Sequence, residues 1–300
     1  MTAPRFFLEM WRLSLFKNQY FIQLSFLSND ETLNLILMKK NKNSLVWQIT
    51  EGGQNPSYIL GTMHVRDARA FQFEHLFYEK ILNCEAFATE FNLDDIQNQT
   101  DFTLSMSNDL QLQNIIKPKT FAKISRVVEQ KMGLPLVHFN NLKPIIVTNM
   151  LTESVLSSDR LMSLDETLWR FASENGRILR GIETFEEQVE ILNKMSLDEQ
   201  IKGLKDLASN FSKFRKQLLN MTRLYEQADI LKLYKVAKKT AKGNRRLLLY
   251  DRNHIMAQRI ADMSREMSLC TAIGAGHLAG QKGVLNLMKK KGFAVKPVFG

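Results

Sequence analysis

Cysteine is scarce. Only Cys84 and Cys270 occur in 300 residues, each within an apolar run and with no CxxC spacing. A structural disulfide is therefore not expected, and both thiols are predicted to be buried. Proline (6) and glycine (14) are too thinly spread to form a linker, so composition marks no clear boundary between lobes. Solenoid-type repeats and low-complexity tracts are absent. Long apolar runs are missing near the start as well. Arg5, Glu9, Arg12 and Lys17 interrupt the first 37 residues, which leaves no run of about 18 apolar residues for a membrane span. Nor do a basic leader, an apolar stretch and a small-residue cleavage site follow in order, so a cytoplasmic location is favoured over a periplasmic one. Met38-Lys39-Lys40-Asn41-Lys42 reads as a natural start. Residues 1–40 are accordingly expected to be an appendage, disordered or a wrongly assigned start, and residues 41–300 the folded domain.

Charge is plentiful but lopsided. The formal net charge is +10. Residues 201–300 hold 21 Lys and Arg against 6 Asp and Glu, leaving a small acidic excess in the first 200. A basic face can meet nucleic acid or an acidic partner. Lys232, Lys235, Lys238, Lys239, Arg245 and Arg246 are dispersed, however, and no aromatic-rich RNA motif accompanies them. Solvated helix faces are the expectation, with no strong nucleic-acid signal.

Against this background one pattern occurs twice. Gly61-Thr62-Met63-His64 closes the apolar run Ser57-Tyr58-Ile59-Leu60, and Gly274-Ala275-Gly276-His277 closes Leu269-Cys270-Thr271-Ala272-Ile273. The two histidines are 213 residues apart. An apolar run ending in glycine and a polar side chain reads as a buried strand presenting that side chain at its tip, where open α/β sheets bind ligands. Two further runs end on carboxylates: Ala86-Phe87-Ala88-Thr89 on Glu90, and Arg177–Ile182 on Glu183. Ser44–Ile49 and Tyr58–Leu60, separated by Glu51–Pro56, predict a hairpin. A helix over Phe73–Leu82 then predicts a parallel crossover from the Gly61 strand to the Glu90 strand. Helical periodicity predicts helices over Phe185–Asn193, Leu197–Phe211, a stretch near Tyr225–Lys239, Arg246–Met267 and Gly283–Lys291. Ser163-Leu164-Asp165-Glu166 predicts a capping box, and Phe293–Val298 a last strand. The fold class is α/β, with a mainly parallel sheet and a large helical insertion between the Glu90 and Glu183 strands.

Two neutral imidazoles and a carboxylate, here His64, His277 and Glu90, suit a divalent transition ion with open positions. Such an ion makes a hydroxide nucleophile from bound water at neutral pH. Glu183 is a candidate general base or a group orienting a ligand imidazole. Gly61 and Gly274 permit the sharp turns and close approach the strand tips need. Arg252, in Tyr250-Asp251-Arg252-Asn253-His254, is either a clamp for a substrate carboxylate or oxyanion, or a surface arginine on a basic helix. His75, His138 and His254 lack matching context and are expected at solvent or in caps.

Taken together, these residues resemble the TraB/GumN family, which includes the Tiki proteins. The likeness runs from about Leu45 to Val298 through Tyr58–Val65, Ala88-Thr89-Glu90, Leu164–Leu168, Gly181–Thr184 with Glu187-Gln188, Asp251-Arg252-Asn253 and Gly274–Gly280 with Gly283-Val284. The resemblance implies a fold related to the erythromycin-esterase and ChaN group, with two pseudo-repeated α/β halves. It also implies a metal-dependent protease acting through two histidines and a glutamate. Those roles fall on His64, His277 and Glu90, with Arg252 and Asn253 as further site positions. The resulting expectation is a hydrolase of peptide or protein substrates that uses Mn, Co or Zn. The alternative is a non-catalytic protein capturing a peptide or a tetrapyrrole in the same crevice.

Overall fold

The computed structural model describes residues 43–98, 111–156 and 159–300. Residues 1–40, on which the appendage was expected, lie outside the described residues. Six strands form one sheet in the order β4-β3-β5-β2-β1-β6. They are β1 (Val46–Thr50), β2 (Ser57–Thr62), β3 (Ala86–Phe91), β4 (Ile178–Glu183), β5 (Leu269–Gly274) and β6 (Ala294–Val298). β4, β3, β5 and β2 run parallel to one another, while β1 is antiparallel to β2 and β6. The β1–β2 hairpin forms as its alternation predicts, and Gly52 and Gly53 at its turn adopt φ of +60° and +80°. Every residue of β2 is buried, as expected of a central strand covered on both faces.

The crossover prediction needs one correction. β2 and β3 do point the same way, but they are not neighbours, because β5 inserts between them and pairs with both. A strand from late in the chain thus takes a central place in the sheet, which puts the β5 tip, followed by His277, between those of β2 and β3. The architecture is α/β as expected. The two pseudo-repeated halves are not established by this interleaved order.

Eleven helices of six residues or more lie among the described residues. They are α1 (Glu74–Leu82), α2 (Leu93–Asn98), α3 (Pro118–Met132), α4 (Pro144–Glu153), α5 (Leu164–Glu174), α6 (Phe185–Asn193), α7 (Leu197–Ser209), α8 (Phe211–Glu226), α9 (Ile230–Thr240), α10 (Asp251–Glu266) and α11 (Val284–Lys290). Pro118 and Pro144 sit in the first turn of α3 and α4, where no intrahelical N–H is lost. The predicted capping box at Ser163 and Glu166 opens α5, and matching boxes open α6 and α7. α8 was not anticipated as a separate helix.

The helical material is also more divided than expected. Leu112, Val128, Leu136 and Leu151 from the β3–β4 connection share a second core with Leu204 and Leu207 from the β4–β5 connection. Both insertions therefore build one helical lobe. The main core centres on the sheet, with Ile59, Leu60, Phe77, Phe87, Leu168 and Ile260 fully buried. Cys84 and Cys270 are free, buried thiols, as predicted. Lys232, Lys235, Lys238 and Lys239 are exposed on α9, which fits solvated helix faces. No helix among the described residues is long and apolar enough to cross a membrane. Among those residues β6 pairs only with β1, and it carries an exposed Lys296 and a half-buried Pro297.

Gly181 fixes the spacing of β4 against β3. A Cβ built there would lie 2.5 Å from the Asn92 backbone nitrogen, a contact that no rotamer change relieves. Gly181→Ala should therefore destabilise the fold by about 1–3 kcal/mol, the range for overpacking. Urea unfolding of the variant beside the parent measures this.

Candidate active site at the strand tips

Because β2, β3, β4 and β5 are parallel, their carboxyl ends lie along one edge of the sheet, and all four predicted tips lie on that edge. α10 supplies the residues that tie Glu90, Glu183 and His277 together, but not His64. Arg252 reaches back over the edge and binds two carboxylates at once. Its Nη2 donates to Glu90 Oε2 at 2.7 Å and to Glu183 Oε2 at 2.5 Å, and its Nε donates to Glu183 Oε1 at 3.0 Å. The Arg252 side chain is 15% exposed and that of Glu183 1%. Glu183 also accepts from Gln188 Nε2 at 3.3 Å. Arg252 is thus neither a surface residue nor, in this arrangement, free to clamp a substrate. Its charge is spent inside the protein. Glu183, considered above as a general base, is instead the anchor for Arg252.

Glu90 receives a second donor from the neighbouring strand, since the Gly274 N–H donates to its Oε1 at 2.8 Å. A Cβ at Gly274 would sit 3.2 Å from that same oxygen, which accounts for glycine at this tip. Desolvation raises the Glu90 carboxyl, but Arg252, His277 and the Gly274 N–H outweigh it and hold the group down at about 2. Glu90 is ionised at neutral pH.

Asn253, the next residue of α10, is fully buried. Its Nδ2 donates to the Lys282 carbonyl at 2.7 Å, so its Oδ1 must accept, and it meets His277 Nδ1 at 2.6 Å. The Nδ1 proton is thereby assigned, and Nε2 keeps its lone pair. Burial lowers the His277 imidazole to about 4, with Arg252 adding to the effect and Glu90 opposing it. The ring is neutral at physiological pH. A wide π-helical turn at Arg246–Tyr250 runs directly into α10 and sets the start of the segment bearing Arg252 and Asn253.

His64 has different company. Its side chain is 59% exposed, and Nδ1 lies 3.4 Å from Asp165 Oδ2. Desolvation works against its protonation, but Asp165, then Glu153 and Glu166, carry the ring up to about 9. Asp165 is held in turn by Thr62, whose Oγ1 donates to Oδ1 at 2.6 Å. Gly61, three residues before His64, is pinned by Tyr225, whose hydroxyl donates to the Gly61 carbonyl at 2.8 Å. In the sequence Asp165 stood out only within the capping box and the Leu164–Leu168 segment of the family resemblance, with no role of its own. A carboxylate at the second position of a capped helix, which needs no cap from it, was the available signal. His75, His138 and His254 are exposed, as expected.

The strand tips therefore carry two clusters: Glu90, Glu183, Arg252, Asn253 and His277 in one, and Thr62, His64 and Asp165 in the other. Among the described residues, no three His, Cys, Asp or Glu side chains are already gathered closely enough to hold a metal ion. The donor chemistry nonetheless suits one, because His277 offers an oriented, neutral imidazole beside an ionised carboxylate.

The chain matches the TraB/PrgY/gumN family over residues 45–297. It belongs to that family. Two curated relatives are similar at low identity. The "Metalloprotease TIKI homolog" of Nematostella vectensis is 21% identical over 87% of this chain and 68% of its own length. "Metalloprotease TIKI1" of Xenopus tropicalis is 23% identical over 89% of this chain and 64% of its own length. The chain thus spans about two thirds of each. No solved structure matches.

Two measurements check this electrostatic account. Replacing Arg252 by Met leaves two desolvated carboxylates without their cation, so urea unfolding should show a loss of about 3–5 kcal/mol. The second concerns acid. His277 titrates near 4 in the fold against 6.5 in its absence, so the unfolded chain binds the proton more readily. Its contribution is complete above pH 6.5 and is lost as pH falls toward 4. In metal-free protein, His277→Gln should flatten the fall in stability between pH 6.5 and 4.

Proposed function

We propose that this protein is a metal-dependent hydrolase of peptide bonds, with His64, Glu90 and His277 as the residues that hold a divalent ion of the Mn, Co or Zn class. The observation that carries this reading is the His277 imidazole, neutral and fixed by Asn253 with Nε2 open, beside an ionised Glu90 at the edge where His64 also lies. The metalloprotease names of both relatives favour the same reaction class. When bound, such an ion would supply a Lewis acid and a hydroxide nucleophile at neutral pH.

The chain's own residues then have separable tasks. Asn253 keeps the His277 proton on Nδ1, so the ring can only present a lone pair from Nε2. Arg252 keeps Glu90 ionised and stationary, and each Glu90 oxygen retains a second lone pair beyond the hydrogen bond it accepts. Glu183 is the second carboxylate on Arg252, so the guanidinium has no positive charge left over to draw in a substrate carboxylate. His64, at the exposed wall, is the site residue most accessible to an entering chain.

The purified protein should hydrolyse unstructured peptides when Mn²⁺, Co²⁺ or Zn²⁺ is supplied and stop when a chelator removes it. His64→Ala and His277→Ala should each lower the rate by about 100-fold or more, the scale for losing a group that acts in the transition state. Peptide that is bound tightly but never cleaved, in any of these metals, would instead identify a capture protein. Hydrolysis that ignores both metal and the two substitutions would refute the assignment.

A further inference from the structure

We propose that Asp165 is a positioning residue for His64, holding its ring in the tautomer that presents Nε2 to the site. The inference rests on the metal-hydrolase reading for its purpose but on separate geometry for its substance. Asp165 Oδ2 is buried and has no hydrogen-bond partner. Its nearest charged neighbour is His64 Nδ1, at the ion-pair distance of 3.4 Å. The other oxygen, Oδ1, is already taken by the Thr62 hydroxyl at 2.6 Å. A buried carboxylate oxygen left unpaired costs its full desolvation, and a shift of a few tenths of an ångström by the half-free His64 ring would satisfy it.

The surroundings leave Asp165 few other uses. Thr62 and His64 flank Met63 at the end of β2, so one strand tip offers both a donor for Oδ1 and a donor for Oδ2. Tyr225 lies near Asp165, but its hydroxyl is given to the Gly61 carbonyl. Glu166 is occupied with the Ser163 backbone and hydroxyl in the capping box, which also fixes where α5 begins and hence where Asp165 stands. A carboxylate only accepts hydrogen bonds. Facing it, Nδ1 must carry a proton, so once the ring is neutral the lone pair falls on Nε2. The two Gly-X-X-His histidines are then oriented by the same device with different chemistry, an amide oxygen behind His277 and a carboxylate behind His64.

Asp165→Asn tests this, because the amide can still engage Thr62 while turning an NH₂ toward His64 Nδ1. The NH₂ would favour the opposite tautomer, with the proton on Nε2. Nitrogen-15 NMR of the histidine-labelled full chain at pH 10, where the ring is neutral, should show the Nδ1–H form in the parent and the Nε2–H form in the variant. Affinity for Co²⁺ should fall about 10- to 100-fold, the range for removing an orienting partner, with the melting temperature as a control for folding. Thr62→Val, which frees Oδ1 without touching the carboxylate, should give a smaller loss and carries the test if Asp165→Asn does not fold. An unchanged tautomer together with unchanged Co²⁺ affinity would overturn the proposal. Should the parent itself fail to bind Co²⁺, the metal reading falls, and the tautomer comparison alone decides the role of Asp165.

Discussion

The Arg252 guanidinium is the constraint around which the strand tips are arranged. Glu90 and Glu183 end adjacent parallel strands, so their carboxylates would repel each other at close range and resist burial. A single planar cation from α10 meets both, and its fork geometry allows it to hold Glu183 through two nitrogens while reaching Glu90 with one of them. Because the Gly274 N–H also binds Glu90, the grip extends to β5. Three strands and one helix are thus joined through one charged knot. The neutrality of His277 comes first from its burial, with Arg252 reinforcing it and Glu90 opposing it.

Asn253 extends the same logic by one residue. Consecutive positions at the start of α10 serve different strands, Arg252 acting on β3 and β4 and Asn253 on the histidine after β5. The pair can do both only because the preceding wide turn starts the helix at the correct height and rotation. A small shift in that turn would displace two groups together, which makes Arg246–Tyr250 as important to the site as any residue with a charge.

Much of this was legible in the sequence. Apolar runs ending in His64, Glu90, Glu183 and His277 identified four strand tips, and the shared direction of their strands follows from the helices between them. What escaped was pairwise placement. The position of β5 between β2 and β3 is decided by which long-range pairing buries the most apolar surface, and local periodicity carries no record of that competition. Asp165 was visible only as part of a cap and of a family segment, with no role assigned, because its partner lies across 103 residues of chain. Arg252 was left open between a substrate clamp and a surface arginine, since a basic segment gives no hint that two acids wait inside. α8 was missed because its polar sequence, Phe211–Glu226, buries only Leu218, Thr222, Leu224 and Tyr225.

The far border of the sheet has its own consequence. β6 places a proline opposite Trp47 and an exposed lysine beside it. Proline has no N–H to offer a further strand, and a lysine charge must be desolvated before another chain can lie against it. That margin is therefore a poor template for extension, and stacking of one molecule onto the next by continued β-pairing is discouraged where the sheet would otherwise be most open to aggregation.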